Sequence, residues 1–273
     1  MRKTGAAPAP HTAYGYTEDP IVLSWAIGLL ISHMILQQII GSAKPGVVAH
    51  QACTLVAFGY AAYNGVLLWL YDDIVMQQHE GNFVDRLYGT NERTSEICRF
   101  MFGFQLYDLA STALVPELRK LEIVGHHAAT LLTAMASNSH GGPFFNYYIP
   151  FFFGFTELSS LPLVFVDLFR QLPKLGTQYS AINELSRTLF AVSFLIIRVC
   201  YFPYVMLTKW WPDMWQAWSG DDVRCTMTAF GWMGFSSVFL TLLQLFWGYK
   251  IIRVIAKGNL GGNDANASQA EAD

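Results

Sequence analysis

Charge is what this chain has least of. Asp, Glu, Lys and Arg make up 14% of its 273 residues, against about a quarter in an ordinary soluble domain, so a globular body wrapped in a solvated shell is excluded. A formal net charge of -3 leaves no basic face for nucleic acid. The four cysteines form no CxxC or other metal spacing, which excludes a zinc or dithiol motif. They read as small apolar fillers, with a bridge between Cys98 and Cys225, both expected at lumenal helix ends, as the alternative. The last apolar stretch has no lysine between Ser237 and Leu245, and Lys250 comes only at its end, so a retinal Schiff base has no anchor. A single His-His pair excludes a di-iron hydroxylase, which needs several histidine groups. No internal repeat is visible, which disfavours a transporter built of two matching halves. No metal site is expected.

What is present is apolar surface. The chain is 53% hydrophobic and 15% aromatic, and several stretches approach the roughly 20 residues that cross a hydrocarbon core about 30 Å thick. The expected fold is all-α, a polytopic membrane helix bundle with about seven transmembrane helices around a central cavity. The spans fall near residues 20–40, 47–71, 97–115, 123–138, 144–169, 184–209 and 226–256. Residues 1–19 form a polar tail carrying Pro8, Pro10, Glu18 and Asp19, so no signal peptide is expected. Residues 257–273 are small and polar and are expected to be disordered. Lys44, Arg119, Lys120, Arg170, Lys174, Lys250, Arg253 and Lys257 collect on one side, and Arg2, Lys3, Arg86, Arg93, Lys209 and Arg224 on the other. Eight against six favours a cytosolic C-terminus. The acceptor pattern Asn266-Ala267-Ser268 then goes unused. Trp210, Trp211, Trp215 and Trp218 read as an interfacial belt.

Polar groups inside the spans carry the functional reading, because ionisable side chains at membrane depth are expensive and face a bundle interior. His126, Thr130, Thr133 and Ser137 recur at helical spacing and form one stripe, with His127 about 100° away. A neutral imidazole accepts a proton or attacks an acyl carbon near neutral pH. Asp108 lies in the third span with Gln105 and Thr112 on its face, and Glu157 in the middle of the fifth, followed by Ser159 and Ser160. Either acid can orient a histidine, and either can instead be consumed by an arginine. Glu184, Arg187, Ala191, Phe194 and Arg198 share one face of the sixth span. Arg187 can snorkel or meet a phosphate, whereas deep Arg198 requires an acid partner. Ser237, Thr241, Gln244 and Gly248 form a small polar stripe suited to helix packing. His33 and His50 read as packing residues, and His11, His79 and His140 fall in tails or loops.

Tyr107-Asp108-Leu109, Gly125-His126-His127-Ala128-Ala129-Thr130 and Thr156-Glu157-Leu158-Ser159-Ser160-Leu161-Pro162, followed by Arg198, Pro203 and the segment from Trp247 to Lys250, resemble the TLC-domain family, which includes the ceramide synthases. The resemblance covers roughly residues 50–256. It implies a membrane enzyme that moves an acyl group from acyl-CoA to a long-chain amine, with His126 as acyl acceptor or base and His127 in support. Ceramide synthases carry a His-Asp-x-x-Ser-Asp type segment about thirty residues after the pair. This chain has Phe155-Thr156-Glu157-Leu158-Ser159-Ser160, with one acid and not two. That departure resembles the smaller TLC-domain proteins, whose general theme is membrane-lipid homeostasis.

Two functions follow. In the first, His126 and His127 with Asp108 and Glu157 catalyse acyl transfer in an acyl-lined tunnel, Thr130, Arg187 and Arg198 contact substrate, acyl-CoA is the co-substrate and no other cofactor is needed. In the second, a lipid-binding regulator uses the same cavity without chemistry. A channel lined by Arg198 and Glu157 is a third, distant alternative. Membrane lipids are the partners in either main reading, and the resemblance places the protein in the endoplasmic reticulum or another endomembrane. Oligomeric state is left open.

Overall fold

The computed structural model describes residues 19–137 and 144–258, and among these there are helices and no strand. Both polar tails lie outside the described residues, apart from Asp19 at one end and Lys257 and Gly258 at the other, and so do His11, His140 and Asn266. The helices are α1 (Pro20–Ile39), α2 (Pro45–Tyr71), two short helices α3 (Asp73–Glu80) and α4 (Phe83–Tyr88), α5 (Glu92–Leu114), α6 (Leu121–Ala136), α7 (Asn146–Gln171), α8 (Ser180–Ser219) and α9 (Met227–Ala256), with short helical connections at Pro116–Leu118 and Pro173–Gln178.

Five of these, α1, α2, α7, α8 and α9, are long and apolar enough to cross a membrane. The other two predicted spans, α5 and α6, fall short for different reasons. At 16 residues, α6 rises about 24 Å. α5 has the length but begins with Glu92, Arg93, Glu96 and Arg99. Its position explains its composition: α1, α2 and α6 all pack on α5, and Phe100, Phe102, Phe104, Tyr107 and Asp108 are all buried. A helix surrounded by protein has no lipid face to satisfy.

Side-chain caps set several helix starts by accepting otherwise unpaired backbone N–H groups. Asp19 caps α1, Asp72 caps α3, Asn82 closes a capping box on α4, Asn91 caps α5 and Thr226 caps α9. At this end of the bundle Arg86 forks onto Asp213, with both bonds at 2.7 Å, and donates to the Gly81 carbonyl, while the Tyr148 hydroxyl donates to Asp213. Arg93 pairs with Asp72 and Arg224 with Asp222. The opposite end is marked by Lys44 donating to Gln171 at 2.8 Å.

Two backbone features position the interior. α2 and α7 cross at Gly65 and Gly154, where a Cβ on Gly65 would stand 2.3 Å from the Gly154 carbonyl carbon. Only glycine allows that approach, and α7 is interrupted there at Phe153–Gly154 before restarting as the tight turn Phe155–Ser159 that carries Glu157. α8 widens into π-helical turns at Leu195–Tyr201 and Met206–Trp210. Each ends two residues before a proline, Pro203 and Pro212. Proline removes an N–H and crowds the carbonyl four residues back, and a wider upstream turn relieves that contact. Such turns are frequent at functional sites, and the first carries Arg198.

Two expectations are corrected, and one alternative is set aside. Trp210 is 1% exposed and belongs to the core; of the predicted tryptophan belt only Trp215 and Trp218 are exposed, while Trp211 turns inward to donate to Ser237. No bridge joins Cys98 to Cys225; the Cys98 thiol lies 3.0 Å from Ser137 Oγ. His79 is not in a loop but in α3, with Nδ1 2.5 Å from the Tyr147 hydroxyl.

Candidate functional site

Asp108, on the buried centre of α5, holds two histidines. Its Oδ2 lies 3.0 Å from His127 Nε2 and its Oδ1 3.4 Å from His50 Nε2. The other ring nitrogen of His127 lies 2.7 Å from the terminal amide of Gln105, one turn before Asp108. With Nε2–H donating to the carboxylate, Gln105 presents its NH₂ end to Nδ1, an orientation reached by turning the amide through 180°. Both nitrogens of His127 are therefore occupied.

His50 extends the network toward α1. Its Nδ1 lies 3.1 Å from Ser111 Oγ and 3.5 Å from the Tyr107 hydroxyl, and that hydroxyl lies 3.0 Å from His33 Nδ1. Gln105, His127, Asp108, His50, Tyr107 and His33 thus form one continuous polar path through four helices. His33 and His50 were expected only to pack, and the structure corrects this. A readable signal existed for His50: Thr54 follows it by one helical turn in an apolar span, the same stripe logic that singled out His126.

The second acid is held elsewhere. Arg198 donates to Glu157 Oε2 at 3.2 Å, to Ser159 Oγ at 2.8 Å and to Ser160 Oγ at 2.9 Å. Arginine matched to one carboxylate and two hydroxyls in a buried setting is well satisfied. Glu157 is therefore the acid consumed by an arginine, and Asp108 the one that meets a histidine, through His127 and not His126.

His126 differs from its neighbour. Its ring packs edge-on against Trp247 and His127, with centroids 5.4 and 5.3 Å away, and its Nδ1 has no hydrogen-bond partner among the protein atoms. It stands in the wall of two adjoining cavities. The outer cavity, of about 410 Å³, is lined by His50, Asp108, His126, His127, Glu157 and Arg198, with Lys120, Asp167, Arg170 and Lys250 toward the basic end of the bundle. The inner, of about 50 Å³, shares Gln105, His126, Glu157 and Arg198 with the first and continues among α6, α7, α8 and α9. The outer volume lies within the usual range for small-molecule sites.

Among the predicted substrate contacts, Thr130 lines the inner cavity and Arg198 both. Arg187 does not join them: it is exposed and lines neither, as expected of a residue near the helix end that snorkels. Sequence reasoning treated the stripe on α9 as packing, yet Ser237 and Gln244 line the inner cavity. Among the described residues no group of three or more His, Cys, Asp or Glu side chains is arranged to hold a metal.

A family model, the TLC domain, matches residues 47–253, from the start of α2 to the last turn of α9. No curated protein and no solved structure matches the chain.

Proposed function

The chain belongs to the TLC-domain family, and from that premise we propose that this membrane protein of lipid metabolism transfers an acyl chain from a thioester such as acyl-CoA to a lipid amine or related acceptor, using His126 as the reactive group. The observation that carries this reading is the difference between the paired imidazoles. His127 is engaged at both nitrogens, by Asp108 and Gln105, whereas His126 keeps an unpartnered nitrogen and stands in the wall of a 410 Å³ cavity.

The roles follow. The thioester lies in the outer cavity, with the phosphates of its carrier toward Lys120, Arg170 and Lys250, cations suited to anionic oxygens. His126 accepts the proton of the acceptor nitrogen as that nitrogen attacks the thioester carbonyl. The C–N bond forms, the C–S bond breaks, and the leaving thiolate takes the proton back from His126. Asp108 fixes His127, and through it the adjacent turn of α6 that presents His126. Arg198, held by Glu157, sets a positive charge near the developing carbonyl oxygen.

A second reading is favoured by one feature. The segment in which ceramide synthases bear a second acid here has its single acid tied to Arg198 and two serines, which suits a lipid-binding regulator that performs no chemistry. Protein in nanodiscs, supplied with acyl-CoA and a long-chain amine, separates the two. Acyl transfer predicts free CoA and an amide, both lost in His126→Ala. Retained lipid with no CoA above background supports the regulator. The comparison of null, wild-type and His126→Ala cells by lipidomics asks the same question in the membrane, which we place in the endoplasmic reticulum with the C-terminus cytosolic; glycan on Asn266 would refute that orientation.

A further inference from the structure

We propose that the inner cavity is a water site and that it gives the protein a second activity, the hydrolysis of the acyl thioester that occupies the outer cavity. The proposal rests on the reading of His126 as the base.

The inner cavity lies among apolar spans, yet its lining contains unsatisfied polar groups. Buried side-chain atoms without a protein hydrogen-bond partner include His126 Nδ1, Trp210 Nε1 and Gln244 Oε1, and all three residues line this cavity. Trp210 and Gln244 are each 1% exposed. Buried polar atoms left unpaired cost about 1–3 kcal/mol each, so their gathering around one void points to a ligand that pairs with them.

The hydroxyl groups in the same wall define that ligand's chemistry. Thr130, Thr156 and Ser236 each donate their proton to a backbone carbonyl one turn back, those of His126, Phe152 and Met233. Their protons are committed, and what they have left to offer are lone pairs. Gln244 Oε1 adds another acceptor, and Trp210 Nε1 supplies a donor. The wall calls for a small neutral molecule that donates strongly and accepts once or twice, which describes water. Size agrees: a water needs about 10–15 Å³ on this measure, so 50 Å³ holds a cluster of a few. Shared walls at Gln105, His126, Glu157 and Arg198 bring that cluster against the outer cavity.

The reaction balances without a further reagent. His126 takes a proton from a water of the inner cavity as its oxygen attacks the thioester carbonyl. The C–O bond forms, the C–S bond breaks, the thiolate receives the proton, and the products are a free fatty acid and a thiol.

The test uses full-length protein in nanodiscs with palmitoyl-CoA in ¹⁸O-water, with and without a long-chain amine, taking His126→Ala protein as background. The expected result is free palmitic acid carrying one ¹⁸O atom in the absence of amine, reduced at least 10-fold in Gln244→Leu and in Ser236→Val. Gln244→Leu removes an oxygen that has no partner within the protein, so no internal hydrogen bond is broken and the fold is expected to be retained; a 10-fold loss of acid with no loss of fold supports the water site. Acid formation undiminished in both variants overturns it. Amide formed with amine, but no labelled acid without it, overturns hydrolysis and leaves acyl transfer standing. Neither product overturns both.

Discussion

Replacing Asp108 separates a carboxylate that organises two imidazoles from one that merely fills space. Its oxygens serve different partners, His127 at 3.0 Å and His50 at 3.4 Å. Asparagine keeps the shape but turns one oxygen into an NH₂. His127 adapts: with its proton moved to Nδ1 it donates to the Gln105 oxygen, and Nε2 accepts from the new amide. Every atom stays paired, and a charged hydrogen bond worth about 1.5–3 kcal/mol becomes a neutral one worth about 1, so Asp108→Asn is expected to lose about 1 kcal/mol. Leucine removes both carboxylate oxygens; His50 Nε2 keeps Thr54 Oγ1 at 3.4 Å, while the His127 N–H is left unpaired at about 1–3 kcal/mol, an expected loss of about 2. Thermal unfolding of purified protein reads both, at roughly 2–4 °C per kcal/mol for a chain of this size: a few degrees for asparagine, roughly 4–8 °C for leucine. Under the acyl-transfer reading the asparagine variant also reverses the His127 tautomer, so CoA release falls at least 10-fold in a protein that still folds. A leucine variant as stable as the asparagine one would refute the reasoning, because it would mean that His127 does not depend on the carboxylate.

Other outcomes follow from the same geometry. Gly65→Ala drives a methyl group into the Gly154 backbone at 2.3 Å, where no side chain can yield, and is expected to cost 3 kcal/mol or about that and to abolish folded yield in size-exclusion chromatography. Arg198→Met leaves Glu157 buried without its cation, a loss of about 3–5 kcal/mol, and Arg198→Met with Glu157→Leu restores most of it; a double variant no more stable than the single one would contradict the pairing. Burial, with Lys209 and Arg86 nearby, holds His79 below the usual histidine range. The folded state therefore binds the proton less readily than the unfolded one, so this contribution is complete above pH 6.5, the ordinary histidine value, and is lost as pH falls below it. Melting temperature recorded from pH 7.5 to 5 is expected to fall more steeply for wild type than for His79→Asn.

The spans were legible because crossing a membrane demands about twenty apolar residues in a row, a requirement imposed residue by residue. α1, α2, α7, α8 and α9 show it directly. α5 and α6 were expected as spans and are helices that lack the apolar length to cross, and their centrality was not readable: a helix enclosed by protein is free to be polar, and hydropathy says nothing about which neighbours enclose it. Trp210 was misplaced for the converse reason. Aromatic residues at a span's end usually meet the interface, but α8 runs on as helix to Ser219, and its widened turn keeps Trp210 against Phe144, Phe145 and Tyr148.

The pairings among the candidate residues were not readable from sequence, and the reason is rotational. Adjacent residues on a helix point about 100° apart, so His126 and His127 had to face different neighbours. Which one met α5 depended on how α6 docks between α5 and α9, a tertiary fact that leaves no local trace. The same holds for the acids. Asp108 and Glu157 were equivalent candidates until Arg198 was seen to reach Glu157, Ser159 and Ser160 together, something a two-hydroxyl turn beside the acid permits and α5 does not offer. His50 was missed because a single histidine was judged by itself. A buried carboxylate has two oxygens to satisfy and His127 supplies one partner only; the second had to come from another helix, and His50 with Thr54 one turn on was the stripe able to provide it. With Asp108 engaged by His50 and His127, and Glu157 by Arg198, the member of the adjacent pair left with an unpartnered buried nitrogen is His126, and that remainder gives it the proposed chemistry.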